Sequence, residues 1–284
     1  MSSEAPPEPL LRLRPLGLGE ILDDVFRVYR RHFWLLAGIA LVLALPTLLL
    51  QVASGSATQF GFIATILGSL GNPRALAGSQ PPPPPNPFLL GITYLVLLAT
   101  IPFTLGAITK AAIDVVQGRP AGIWRAIAAV ARRYWVLLAL VALFALMTPM
   151  FLCLPIGIWL AVRWMAAIPV MLAEGVGPIR ALDRSWTLTH GNWWRIFGIL
   201  LVMYLLQSVV AGALAVFAFP IAVVIPFVPA VVRGAIILTV ETVAGAAVQP
   251  VIYLTIVLLY FDLRIRREDF DLDQLARQAV GPAT

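Results

Sequence analysis

The chain has 284 residues, 60% hydrophobic and only 12% charged, against roughly 45–50% and 25% in soluble globular domains. Twenty Lys+Arg against 14 Asp+Glu give a net charge of +6. This balance excludes an ordinary soluble domain, and a single cysteine, Cys153, excludes an internal disulfide.

Residues 1–15 are rich in Pro, Glu, Leu and Arg and read as an irregular tail. The first 32 residues are polar and too long for the n-region of a signal peptide. Ala53-Ser54-Gly55-Ser56-Ala57 resembles a cleavage site only faintly, so the first apolar run is expected to stay as an anchor. Gly19–Trp34 is an amphipathic stretch. Ile21, Leu22, Val25, Phe26 and Tyr29 fall on one face, and Glu20, Asp23, Asp24, Arg27, Arg30 and Arg31 on the other. That spacing predicts a helix lying on a membrane surface, with Asp23 and Arg27 paired four apart.

Apolar runs of about 20 residues are long enough to cross a bilayer. Six are expected: Phe33–Val52, Phe88–Thr109, Tyr134–Leu152, Leu154–Leu172, Trp194–Phe219 and Val232–Tyr260. The third and fourth are separated only by a turn near Cys153-Leu154-Pro155. The patch Phe60–Leu70 is too short to span, carries two glycines, and is expected to lie at the interface. Pro81–Pro85 favours a polyproline II strand, serving as a semi-rigid spacer or a docking site for a partner. Lys110 and Asp114, four apart, form a local pair. After Tyr260 the alternating charges predict a solvated extension ending in a short helix.

The amphipathic unit recurs. Its second copy, Gly122–Trp135, sets Ile123, Trp124, Ile127 and Val130 against Arg125, Arg132 and Arg133. Its third, Gly177–Trp194, sets Ile179, Leu182 and Trp186 against Arg180, Asp183, Arg184 and Thr187. Gly118-Arg119-Pro120 and Gly175-Val176-Gly177-Pro178 lead into these copies, and each copy ends in an aromatic pair before an apolar run. Glu174 is placed to accept hydrogen bonds from the third. Aromatic, basic flanks also recur in membrane proteins simply because Trp and Tyr favour interfaces. The register of the glycines and aromatic pairs points instead to a repeat with an even number of spans per copy, related by an axis along the membrane normal.

The expected fold is therefore all-α and polytopic. Six transmembrane helices form three hairpins, each preceded by an amphipathic interfacial helix, with pseudo-threefold symmetry. A six-helix domain covers residues 16–267, with repeats at about 16–117, 118–174 and 175–267. Residues 268–284 form a cytoplasmic tail.

The basic residues cluster on one side of this topology. Only Arg74 and Arg233 fall on the opposite side, and Arg163 lies inside a span. Such a bias places both termini in the cytoplasm. It is explained by topology and anionic lipid rather than nucleic acid, since each juxtamembrane cation contributes about 1 kcal/mol at such a surface. Arg30, Arg31, Arg125, Arg132, Arg133, Arg180 and Arg184 are the expected headgroup contacts.

Chemistry is sparse. The two histidines, His32 and His190, precede aromatic pairs and read as packing residues. No HExxH, CxxC, GxSxG or P-loop pattern occurs, and neither a catalytic cluster nor a cofactor is expected. The sharpest signal is charge within the apolar runs. Arg163 lies about 14 Å below Leu154, and Glu241 about 12 Å below Arg233, at 1.5 Å per residue. Ionisable groups at such depth face a bundle interior or a cavity. The two could form a structural pair, or line a path for an anionic headgroup or a proton. Gln207 and Thr242 are further polar residues, and Gln249-Pro250 is an expected kink because proline frees the carbonyl of Ala246.

Three stretches carry a family resemblance: Leu13–Asp23; Glu174–Pro178 with Arg184–Thr189; and Tyr260–Glu268. They resemble the six-helix membrane domain named for its fusion to glycerophosphoryl diester phosphodiesterases. The resemblance implies an integral membrane module of the prokaryotic inner membrane, accessory to lipid or envelope metabolism, with no catalytic residues to carry over. The functional expectation is a non-enzymatic scaffold with a basic cytoplasmic collar for anionic lipids or envelope partners. The rival is a transporter or channel using Arg163 and Glu241.

Overall fold

A computed structural model describes residues 17–68, 81–146, 154–223 and 228–280. Every regular element among them is an α-helix. In chain order they are α1 Leu18–Arg31, α2 Phe33–Ala53, α3 Ser56–Gly68, α4 Pro87–Val116, α5 Ile123–Ala131 and α6 Tyr134–Leu146. There follow α7 Leu154–Trp164, α8 Ala167–Glu174, α9 Pro178–Thr189, α10 Trp193–Val223, α11 Ala230–Val248 and α12 Pro250–Val280.

Five helical stretches among the described residues are long and apolar enough to cross a membrane: Phe33–Ala53, Pro87–Val116, Pro155–Glu174, Trp193–Leu214 and Ala230–Arg267. A sixth follows if α5 and α6, bent by 77° at their junction, are counted together. The chain is thus an all-helical, multi-pass membrane protein. The last stretch is 38 residues, about 57 Å at 1.5 Å per residue, so it exceeds the roughly 30 Å that a bilayer core requires. The expected Cys153 turn, residues 1–15 and Arg74 lie outside the described residues.

The chain forms two compact units. One contains Met1–Leu36, Leu105–Met203 and Val251–Thr284, the other Ala37–Thr104 and Tyr204–Pro250.

In the first unit, the three amphipathic helices share a local design. Each starts after a glycine in extended conformation: Gly17, Gly122 and Gly177. Four residues on, the side chain is buried (Ile21, Ala126, Ala181), and again at eight (Val25, Val130, Ser185). The aromatic pairs that follow share an edge-to-face geometry. Ring centroids are 5.1 Å apart in Phe33–Trp34, 5.4 Å in Tyr134–Trp135 and 4.7 Å in Trp193–Trp194.

Two expectations for these helices need correction. Ile21, Val25 and Val28 are fully buried by protein, so the apolar face of α1 is core rather than a lipid-facing surface. Ile179 is exposed, and α9 instead buries Ala181, Leu182, Ser185, Leu188 and Thr189. Asp24, not Asp23, pairs with Arg27, at 3.4 Å. The expected pair Lys110–Asp114 is present. A turn at Gly175, whose φ is +74°, lets α9 fold back on α8, because only glycine adopts the left-handed region without a steric cost.

In the second unit, α3 packs along α11. The patch expected to lie at an interface is thus part of a helix pair. Its contact is made by small residues four apart: Ala57 and Gly61 on α3, Ala230 and Gly234 on α11. Any side chain on Gly61 would strike the Ala230 carbonyl, and any on Gly234 the Ala57 carbonyl. Small residues permit this backbone approach, the usual basis of helix association in lipid. The prolines Pro81–Pro85 lead to α4 and are tethered, with Gln59 Nε2 donating to the Pro83 carbonyl at 2.9 Å. Asn86 caps α4 through its Oδ1, which accepts from Phe88 N at 3.0 Å.

Candidate functional site

The first unit contains two linked centres of charge. One is built where the end of α8, the middle of α9 and the lower part of α12 meet. Glu174 closes α8, and its Oε1 accepts from Tyr260 Oη at 3.0 Å and Arg184 Nε at 3.5 Å. Arg264, one turn beyond Tyr260 on α12, donates to the Tyr260 hydroxyl at 3.4 Å. Arg133 donates to the Met171 carbonyl at 3.3 Å, satisfying one of the last carbonyls of α8. Beside this, the buried Asp262 carboxylate accepts from Arg195 at 2.7 Å and from Arg266 at 3.0 Å. Arg267 donates to the His190 carbonyl at 2.8 Å.

These contacts correct the expected solvated tail. Residues 261–267 belong to α12, and their charges are pinned to α8, α9 and the start of α10. Burial of the Asp262 carboxylate carries a desolvation penalty of several kcal/mol, offset only by close attraction and complete hydrogen bonding. Two guanidinium groups at hydrogen-bond distance supply both.

The second centre is Arg163, near the end of α7. The helix breaks at Met165-Ala166 before α8 begins, which frees carbonyls at the end of α7. The Arg163 carbonyl accepts from Ser185 Oγ at 2.8 Å and Thr189 Oγ1 at 3.3 Å, both on α9. Its guanidinium sits in the corner of two nearly perpendicular indoles, 5.5 Å from the Trp159 ring and 5.0 Å from the Trp186 ring. Each such contact contributes about 0.5–2 kcal/mol. Nε and Nη1 are nevertheless buried without a hydrogen-bond partner. The expected partner, Glu241, lies on α11 in the other unit and is exposed. Within its own unit Arg163 meets indoles, not a carboxylate.

Residues 132–268 match the family model described as the membrane domain of glycerophosphoryl diester phosphodiesterase. This stretch belongs to that family. Neither a curated protein nor a solved structure matches the chain. Two of the three stretches that carry the resemblance, with Glu174, Arg184, Tyr260, Asp262 and Arg264, lie within the matched membrane domain; Leu13–Asp23 precedes it. The residues of the first charge centre therefore all fall inside the matched range.

The other expected site residues divide by exposure. Arg30, Arg31, Arg125, Arg132 and Arg180 are exposed, with Arg125 also donating to the Pro120 carbonyl at 2.6 Å. Arg133 is exposed as well, although it donates to the Met171 carbonyl, and Arg184 is half-buried against Glu174. Beside the exposed arginines stand Trp34, Trp124, Trp135, Ile179 and Trp194, each between 74% and 84% exposed. Gln249 interrupts the helical run for one residue before Pro250. Near α1, burial pushes the Tyr29 phenol up to about 12. Burial, with the neighbouring Arg31 charge second, lowers the His32 imidazole below its usual 6.5. Among the described residues no group of three or more His, Cys, Asp or Glu is placed to hold a metal ion.

Sequence reasoning missed Asp262 and Tyr260 as members of a site. Asp262 meets Arg195 across 67 positions, and no local pattern signals such a pairing.

Proposed function

We propose that the chain is a non-enzymatic membrane module that gathers anionic lipid, and through it envelope partners, at the cytoplasmic face of a prokaryotic inner membrane. In this reading both termini are cytoplasmic. Three hairpins with pseudo-threefold symmetry each present an amphipathic helix to the headgroup layer, and the recurrent glycine and aromatic-pair geometry supports that arrangement. The observation that carries the function is that exposed arginines and exposed indoles recur close together in sequence: Arg31 and Trp34, Arg125 and Trp124, and Arg132 and Trp135. Indoles prefer the interface and arginines its anionic headgroups.

The test is lipid enrichment. The full chain is reconstituted in mixed phosphatidylglycerol and phosphatidylcholine, and co-purifying lipid is quantified. Arg125→Gln combined with Arg132→Gln and Arg180→Gln is expected to abolish phosphatidylglycerol enrichment with little change in thermal stability, because all three are exposed. Enrichment equal to wild type would contradict the reading. A transport path through Arg163 and Glu241 is the second reading, favoured by the unsatisfied donors of Arg163. Loss of flux in reconstituted vesicles on Arg163→Gln and, independently, on Glu241→Gln would support it.

A further inference from the structure

The geometry points to a discrete site for a phosphate-class oxyanion at Arg163, separate from the exposed collar and independent of it. Guanidinium N–H bonds lie in the plane of the group. Trp159 and Trp186 offer their ring faces to the charge but supply no acceptor for those in-plane donors. Nε and Nη1 are accordingly buried without one. A buried cation with open donors is stable only when an anion or a set of acceptors completes it.

Among the described residues, no carboxylate accepts from Nε or Nη1 of Arg163. In this unit Glu174 is engaged by Arg184 and Tyr260, and Asp262 by Arg195 and Arg266. Asp114 is engaged by Lys110 and Asp24 by Arg27. The residue is held in place beforehand: α9 hydroxyls bind its carbonyl, and Trp193 Nε1 donates to the Trp159 carbonyl at 3.3 Å. Such pre-ordering lowers the cost of binding. Arg163 as a whole is half-buried, so the residue borders the surface of its unit. A planar guanidinium fork binds two phosphate oxygens at once.

The exposed neighbours Ile156, Ile158 and Trp159 are apolar and belong to the span Pro155–Glu174. The anion therefore arrives from the lipid phase, as the phosphodiester of a phospholipid headgroup. Free phosphate offers the same oxygens and is the other source to distinguish.

Native mass spectrometry of the full detergent-solubilised chain, titrated with phosphatidylglycerol or with inorganic phosphate, reads the site directly. Wild type is expected to retain one tightly held phosphatidylglycerol. Arg163→Gln is expected to weaken that first binding event at least tenfold, whereas the triple collar variant keeps it. This contrast separates failure of the collar from failure of the Arg163 site. Tenfold weakening for inorganic phosphate but not for phosphatidylglycerol would assign the same site to the free anion. Should Arg163→Gln fail to give monodisperse protein, Arg163→Lys keeps the charge but loses the fork, and the same weakening is expected. Unchanged affinity for both probes in either well-folded variant would overturn the proposal.

Discussion

Asp262 is the residue whose removal tests the charge centre most severely. Its carboxylate is fully buried and holds Arg195 at 2.7 Å and Arg266 at 3.0 Å, each of these arginines about a quarter exposed. Asp262→Ala leaves two guanidinium groups facing one another with no anion. Breaking a buried pair in this way costs about 3–5 kcal/mol. Both arginines can partly rehydrate, so the lower end applies, about 3 kcal/mol. At roughly 2–4 °C per kcal/mol for a domain of this size, melting should fall by about 6–12 °C. Intrinsic fluorescence of the detergent-solubilised chain during heating measures it. Asp262→Asn keeps the shape and one acceptor and should lose less. Adding Arg195→Met to Asp262→Ala should recover part of the loss, because one uncompensated charge goes with it, and the non-additivity gives the coupling directly. A melting point for Asp262→Ala within about 1 °C of wild type would refute the reasoning: the carboxylate would not be holding α12 to α10.

Three further outcomes follow from other parts of the structure. Gly234→Leu drives a side chain into the Ala57 carbonyl and should destabilise the α3–α11 pair by about 1–3 kcal/mol; an unchanged melting point would show that the pair is not that close. Gly175→Ala forces a left-handed backbone onto alanine and crowds the Arg133 guanidinium, for a loss of about 1 kcal/mol, read in the same melting assay. Folding lowers the His32 pKa, so protonation disfavours the folded state. Stability should be full above pH 6.5 and decline as pH falls below it, and His32→Gln should flatten that decline; an imidazole NMR titration midpoint at or above 6.5 would contradict it.

The spans were legible because hydrocarbon demands long uninterrupted apolar runs, and little else produces them. The helical period of Gly19–Trp34 was equally visible, but the same period arises whether protein or lipid covers the apolar face. Ile21, Val25 and Val28 look identical in either case, and only the fold shows that protein covers them. The short, glycine-bearing patch in α3 read as an interfacial piece, whereas Gly61 is where a second helix touches. The Tyr260–Arg267 stretch read as solvated because its partners, Glu174, His190 and Arg195, lie far away in sequence. Arg163 stood out correctly as an ionisable residue in an apolar run. Its surroundings, two indoles from different helices, had no local signature.

The central claim is that the arginine-bearing helices α1, α5 and α9 all face the cytoplasm from one side of a membrane. Single cysteines placed at Arg30, Arg125, Arg180 and Pro84 in a Cys153→Ser background, labelled in oriented inverted and right-side-out vesicles, test it most directly. The first three should react only with reagent on the cytoplasmic side and Pro84, in the connection between α3 and α4, only with reagent on the opposite side. Reaction of any one of the three helices from the side that labels Pro84 would contradict the account.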